Sequence, residues 1–254
     1  MTADSPYNMG NSVMLQSFCV ALMLGTAVFA QEAAKLTTVK PVPRKDDWWD
    51  ARHKKFVEQS KVGNIDVAFI GDSITQGWEG EGKAAWEKHF APLKAGNYGI
   101  GGDQTQHVLW RITEGKELEG ITPKVAVVMI GTNNTGSNTS KDIAIGVEEI
   151  VKELRKQKPE IKVLLLGVFP RAGKGTESDK LAANELHRKP GEINKILAKL
   201  DDGKRVFYMD INKVFLEDDG GMTKEIMPDF LHLSQKGYDR WAEAITPKLK
   251  ELLK

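Results

Sequence analysis

Four short segments carry side chains suited to acyl chemistry. They are Gly71-Asp72-Ser73-Ile74-Thr75, Gly99-Ile100-Gly101-Gly102-Asp103, Gly131-Thr132-Asn133-Asn134 and Asp229-Phe230-Leu231-His232-Leu233-Ser234. A serine hydroxyl is a weak nucleophile at neutral pH and needs a base beside it. His232 is the candidate base for Ser73. A carboxylate on the second ring nitrogen fixes the tautomer and steadies the imidazolium. Asp229, three residues earlier, can reach back over one turn to do this. Attack on a carbonyl leaves negative charge on its oxygen, and each preorganised donor there contributes roughly 3–4 kcal/mol. The candidate donors are the N–H groups of Ser73 and Gly102 and the side-chain amide of Asn133. The Ser73 N–H is expected at a helix N-terminus, where the dipole favours an anion.

These segments need a scaffold that brings them together. Each of the first three follows or closes an apolar run: Ile65–Ile70, Gly96–Ile100 and Val125–Ile130. Two more runs, Val163–Phe169 and Val206–Ile211, complete a set of five expected strands. Apart from the second, they are near-continuous hydrophobic stretches, as strands buried on both faces of a parallel sheet must be. Helical patterns lie between them. The clearest is Lys141–Lys158, with Ile143, Val147, Ile150, Val151 and Leu154 on one face and Thr139 with Asp142 as a capping box. Asp46–Lys61, Gln104–Thr113 and Glu192–Leu200 are further helices, the last with Pro190 near its first turn. A final helix over Gln235–Leu253 should kink or break at Pro247. The alternation predicts one α/β domain, a five-stranded parallel sheet with helices on both faces. In such a sheet, ligands bind beyond the carboxyl ends of the strands.

Taken in order, Ser73, Gly102, Asn133 and His232 resemble the four blocks of the SGNH (GDSL-type) serine hydrolases. The stretches NYGIGGDQTQHVLWRI, GTNN and DFLHLS are similar to the branch containing platelet-activating-factor acetylhydrolase catalytic subunits. The resemblance spans Trp48 to the C-terminus. It implies a flavodoxin-like α/β/α sandwich and a Ser-His-Asp triad of Ser73, His232 and Asp229. It further implies an oxyanion hole of Ser73, Gly102 and Asn133, with neither metal nor cofactor. In that branch the residue after the nucleophile and the one before the histidine border the acyl pocket. Here they are Ile74 and Leu231, both bulky, which implies acetyl rather than long acyl groups. Family analogy makes an acetylated sugar or polysaccharide the expected substrate. The alternatives are a thioesterase or lysophospholipase on the same fold, or a carbohydrate-binding module that has lost catalysis.

The remaining residues have plainer expectations. Lys plus Arg is 36 and Asp plus Glu 35 in 254 residues, so there is no charge footprint for nucleic acid. Phe18–Phe29 is too short to span a bilayer and reads as the core of a signal peptide over residues 1–30, cleaved after Ala30. That implies a secreted or periplasmic protein, although no Lys or Arg precedes the run. Residues 31–45 read as a linker and 46–254 as the hydrolase domain. Cys19, the single cysteine, leaves with the leader, so no disulfide or thiolate site follows. Asp72 and Asp103 are expected to brace their loops, and Thr105 to cap a helix. His53, His89, His107 and His187 read as surface or packing residues. Trp78 could line the substrate pocket, while Trp48 and Trp49 are expected to pack the first helix rather than bind sugar. Arg171 could touch substrate or form an ion pair. Oligomeric state is not encoded in any feature noted above.

Overall fold

The apolar runs form five short strands: β1 (Val67–Gly71), β2 (Ala95–Gly99), β3 (Val125–Met129), β4 (Lys162–Leu166) and β5 (Val206–Met209). All neighbours pair in parallel, in the order β2-β1-β3-β4-β5. This order places the topological switch between β1 and β3, where a crevice opens at the carboxyl ends. Gly71 stands in register with Gly99 on one side and Met129 on the other, so three of the four chemistry-bearing segments leave the sheet side by side.

The computed structural model describes residues 36–172, 185–218 and 220–254. Thr38–Lys254 is one compact unit; of Met1–Thr37 only Leu36 and Thr37 are among the described residues, so the expected leader lies outside them. Residues 38–45, within the expected linker, belong to the compact unit: the Val42 N–H donates to the Gln106 carbonyl and Arg44 Nη1 to the Gly101 carbonyl.

The main helices are α1 (Asp47–Val62), α2 (Ser73–Gln76), α3 (Lys83–His89), α4 (Thr105–Ile112), α5 (Ser140–Gln157), α6 (Glu185–Leu197) and α7 (Gln235–Leu252). Strand residues alternate between two apolar layers. Ala68, Ile70, Ala126, Val128, Val163 and Leu165 face α1, α4, α5 and α6. Val67, Phe69, Val125, Val127, Leu164 and Leu166 face α7 and the short helices α2 and α3. The sandwich is therefore three-layered, as expected. The Thr139–Asp142 capping box is present at the start of α5. Two helix expectations need correction. Pro190 lies inside α6 (Glu185–Leu197) rather than in its first turn. The α7 helix continues unbroken through Pro247. No helix among the described residues is long and apolar enough to cross a membrane.

Candidate active site

The β1 strand ends on Gly71, where only glycine fits. A Cβ there would lie 2.4 Å from the Met129 carbonyl oxygen and 2.2 Å from Thr75 Oγ1. Asp72 follows as the N-cap of α2, its Oδ1 accepting from the Ile74 N–H at 3.0 Å. Ser73 is thus the first residue of a helix, half-buried, with its N–H at the positive end of that turn. Tyr238 of α7 clamps the turn from below by donating its hydroxyl to the Ile74 carbonyl at 2.6 Å.

The Asp229–Ser234 segment brings the base. Phe230 takes a left-handed conformation, φ 59°, and its carbonyl accepts from the Ala172 N–H at 2.9 Å. This fold-back sets Asp229 Oδ1 against the N–H groups of Leu231 (3.1 Å) and His232 (2.7 Å). Asp229 Oδ2 lies 2.8 Å from His232 Nδ1, and His232 Nε2 lies 2.9 Å from Ser73 Oγ. A carboxylate only accepts, so Nδ1 carries the ring proton and Nε2 is free to accept from the serine hydroxyl. Partial burial pushes the Asp229 carboxyl upward. The His232 ring and the two backbone N–H groups outweigh that and hold it below its ordinary value. The carboxylate is therefore ionised where the imidazole needs it.

The donor side is built from the β2 and β3 loops. Gly102 is exposed with φ +77°, a conformation open to glycine at little strain. The neighbouring Gly101 passes close to the nucleophile turn: its N–H donates to Gln76 Oε1 at 2.7 Å, and a Cβ on it would lie 3.7 Å from Ser73 Cβ. The Asn133 side chain donates one amide proton to the Asp103 carbonyl at 2.9 Å, and the Asn133 main-chain carbonyl accepts from Gln104 Nε2 at 2.9 Å. Its second amide proton has no protein acceptor among the described residues. Such an arrangement can move a proton from a hydroxyl to an imidazole beside fixed N–H donors, the requirement for acyl transfer.

A buried charge network underlies these loops. The Arg111 guanidinium, with no exposed surface, donates to the carbonyls of Gly71 (3.1 Å) and Tyr98 (3.0 Å). It also pairs with Asp103 Oδ2 at 2.9 Å and Glu117 Oε1 at 2.6 Å. Trp49 Nε1 donates to Asp103 Oδ1 at 2.7 Å, and His53 Nδ1 lies 3.1 Å from Glu117 Oε2. One side chain thus ties the residue two before Ser73 to the residue after Gly102. Burial pushes the Asp103 carboxyl up to about 6 against the pull of Arg111, and the Asp72 carboxyl up to about 7. None of this network was legible as a site. Arg111, Glu117 and His53 look like ordinary helix and loop residues until the fold removes them from water.

A sequence model of the GDSL-like lipase/acylhydrolase family matches residues 69–240. The chain belongs to that family. This GDSL-type protein is an ester-hydrolysing enzyme. It is 39% identical over 209 residues to the platelet-activating factor acetylhydrolase IB subunit alpha2 of Rattus norvegicus, covering 82% of this chain and 86% of the relative. Among solved structures, the acetyl xylan esterase AlAXEase is 25% identical with a TM-score of 0.58, covering 73% of this chain and 100% of that one. A GDSL-like lipase of Bacteroides thetaiotaomicron, at 18% identity, shares the fold with a TM-score of 0.59 over 80% of this chain and 96% of its own.

Within this GDSL-type fold the other expected positions divide. Ile74 is 1% exposed and Trp78 1%, so both lie beneath the surface. Trp78 packs among Phe90, Tyr238 and Trp241, which corrects its expected place in the substrate pocket. Leu231, half-buried, is the accessible apolar residue of the expected pair. Trp49 packs as expected, but Trp48 does not: half of it is exposed. Gln104 rather than Thr105 caps α4, and the Thr105 hydroxyl donates to the Thr38 carbonyl instead. Arg171 makes no ion pair among the described residues; its Nη1 donates to the Thr132 carbonyl at 2.7 Å, bracing the β3 loop. His53 bonds Glu117 and Gly115 in the buried network, His89 bonds Thr246 of α7, His107 accepts from the Gln104 N–H, and the His187 side chain lies outside the described ones. No group of His, Cys, Asp and Glu among the described residues has metal-site geometry.

Proposed function

We propose that the enzyme hydrolyses acetyl O-esters through an acyl-enzyme on Ser73. In this reading Ser73 Oγ attacks the ester carbonyl and His232 Nε2 takes its proton. Asp229 holds the imidazolium, and the N–H groups of Ser73 and Gly102 with the Asn133 amide receive the oxyanion. His232 then protonates the leaving alkoxide, and a water deprotonated by His232 releases acetate and free Ser73. The observation that carries this reading is the continuous line Ser73 Oγ–His232–Asp229, with its 2.9 and 2.8 Å links. The acetyl group is supported by two relatives whose names share it, an acetylhydrolase subunit and an acetyl xylan esterase. For the alcohol half we favour an acetylated carbohydrate. A second reading, an acetylated glycerophospholipid, has the 39% identical relative in its favour. We also propose export, with a mature chain beginning at Gln31.

Ser73→Ala should lower kcat on p-nitrophenyl acetate by at least about 10⁴-fold and abolish fluorophosphonate labelling. Its thermal unfolding should match the wild type. Turnover near the wild-type rate would end this assignment. A nitrophenyl ester series peaking at eight carbons or more would replace the acetyl reading with a thioesterase or lysophospholipase. Acetate release from acetylated xylan against an acetyl-phospholipid separates the two alcohols.

A further inference from the structure

Arg44 joins the exposed start of α1 to the oxyanion loop. Its Nη1 donates to the Gly101 carbonyl at 2.7 Å, and a Cβ on Gly102 would lie 2.8 Å from that same nitrogen. Its Nε donates to Asp46 Oδ2 at 2.9 Å, so the guanidinium is held at both edges. The guanidinium lies over the Trp48 ring, with Cζ 5.0 Å from the ring centroid. A guanidinium over an indole face is an attractive cation–π pair. It fixes the indole orientation and leaves Trp48 50% exposed. Such exposure of a large rigid aromatic is uncommon in this protein. Only Val42 and Val62 join it as exposed large hydrophobics among the described residues.

The surroundings define what this ring can hold. With Val42 and Val62 the only other exposed large hydrophobics among the described residues, these residues form no wide apolar patch around it of the kind an acyl chain or a lipid surface would need. Asp46, the N-cap of α1 with its side chain 46% exposed, is the carboxylate paired with the same guanidinium. An isolated aromatic face beside a fixed cation and its partner carboxylate suits a ligand that is apolar on one side and polar at its rim. A pyranose ring has it: C–H groups on its face and hydroxyls around its rim.

We propose that Trp48, held by Arg44, is a sugar-binding platform that seats a pyranose unit of the acetylated substrate beside the oxyanion loop. This rests on the acetyl-carbohydrate reading above and deepens it by assigning the alcohol half to named residues. Trp48 provides the stacking face. Arg44 aligns the ring and, through Gly101, fixes it relative to Ser73. The platform belongs to the leaving group, so a substrate without a sugar gains nothing from it.

The test compares kcat/KM for an acetylated xylo-oligosaccharide with kcat/KM for p-nitrophenyl acetate, in wild type, Trp48→Ala, Trp48→Phe and Val62→Ala. Loss of one aromatic stacking contact should lower the ratio about tenfold in Trp48→Ala. Trp48→Phe should recover most of it, and Val62→Ala should match the wild type. The change should appear in KM rather than kcat. A ratio in Trp48→Ala within twofold of the wild type overturns the platform while leaving the esterase intact. If the wild type hydrolyses nitrophenyl acetate but not the acetylated oligosaccharide, the carbohydrate reading fails and the platform with it. If it hydrolyses neither, the active-site reading fails first. Sedimentation of each variant closes the remaining gap. A wild-type dimer that Trp48→Ala converts to monomer makes this face an interface between copies and overturns the inference.

Discussion

Replacing Asp72 by Asn should stabilise the protein at alkaline pH relative to acid pH, by an amount the fold itself sets. Asp72 has no exposed surface, and its Oδ2 has no hydrogen-bond partner among the described residues. Burial raises the carboxyl from 3.8 to about 7, the Asp103 charge adding to this and the Ile74 N–H, His232 and Arg171 opposing it. At 1.36 kcal/mol per pH unit, ionising Asp72 is then about 4 kcal/mol harder in the folded protein than in the unfolded chain. The sign follows from the protons bound. Between roughly pH 4 and pH 7 the unfolded carboxyl has lost its proton while the folded one retains it. The folded state binds more protons, so stability falls as pH rises through that window and levels off above it. Asn keeps the acceptor for Ile74 but never ionises. Its amide, placed where Oδ2 has no partner, lowers stability by about 1–3 kcal/mol at every pH. The variant should therefore start below the wild type at pH 4 and gain about 4 kcal/mol on it by pH 8. Urea unfolding followed by circular dichroism at each pH measures the difference. A difference that stays flat from pH 4 to pH 8 would refute the argument that burial of this carboxyl is what the fold must overcome.

Two further outcomes follow from the same loops. Arg111→Met should destabilise the protein by about 3–5 kcal/mol, because the buried Asp103 and Glu117 side chains and the Gly71 and Tyr98 carbonyls would lose the guanidinium that partners them. Denaturant titration reads this, and a loss under 1 kcal/mol would show that the network is dispensable. Asn133→Ala should lower kcat about 10²–10³-fold with a smaller effect on KM, since the amide is asked to act on charge that develops during reaction. Equal losses in kcat and in fluorophosphonate labelling rate fit this role, whereas an unchanged kcat removes Asn133 from it.

Much of the scaffold could be read directly from the sequence. Four of the five strands are near-continuous apolar runs; in β1, β3 and β4 burial on both faces explains why β-type alternation is missing, whereas β5 is a mostly half-buried edge strand. The α5 helix was legible from its apolar stripe and its cap. The α3 helix was not. KAAWEKH is one short stretch with no side-chain cap, and it is held by the packing of Trp86 and Phe90 against Phe69, a contact between distant segments. Pro190 and Pro247 misled for a related reason. A proline removes one intrahelical bond, and tertiary packing of the surrounding turns offsets that loss. At the site, Ser73, Asp229 and His232 stood out because their chemistry is distinctive and their order fits. Trp78 and Ile74 did not reveal their burial, since nearness in sequence to the nucleophile says nothing about which side of the turn a residue occupies. Trp48 and Trp49 are adjacent, yet one is core and the other half-exposed. A helix turns about 100° per residue, so neighbours face different ways.

Lys162 opens β4, and its ammonium donates to the Leu252 carbonyl at the end of α7. The last residues of the chain therefore lie against the amino ends of the strands. A five-residue strand is about 16 Å long, and that distance separates this rim from the one bearing Ser73. An affinity tag or carrier module fused after Lys254 would emerge from the back of the enzyme. Immobilised by such a fusion, the protein would present its reactive rim outward, open to a substrate too large to diffuse around it.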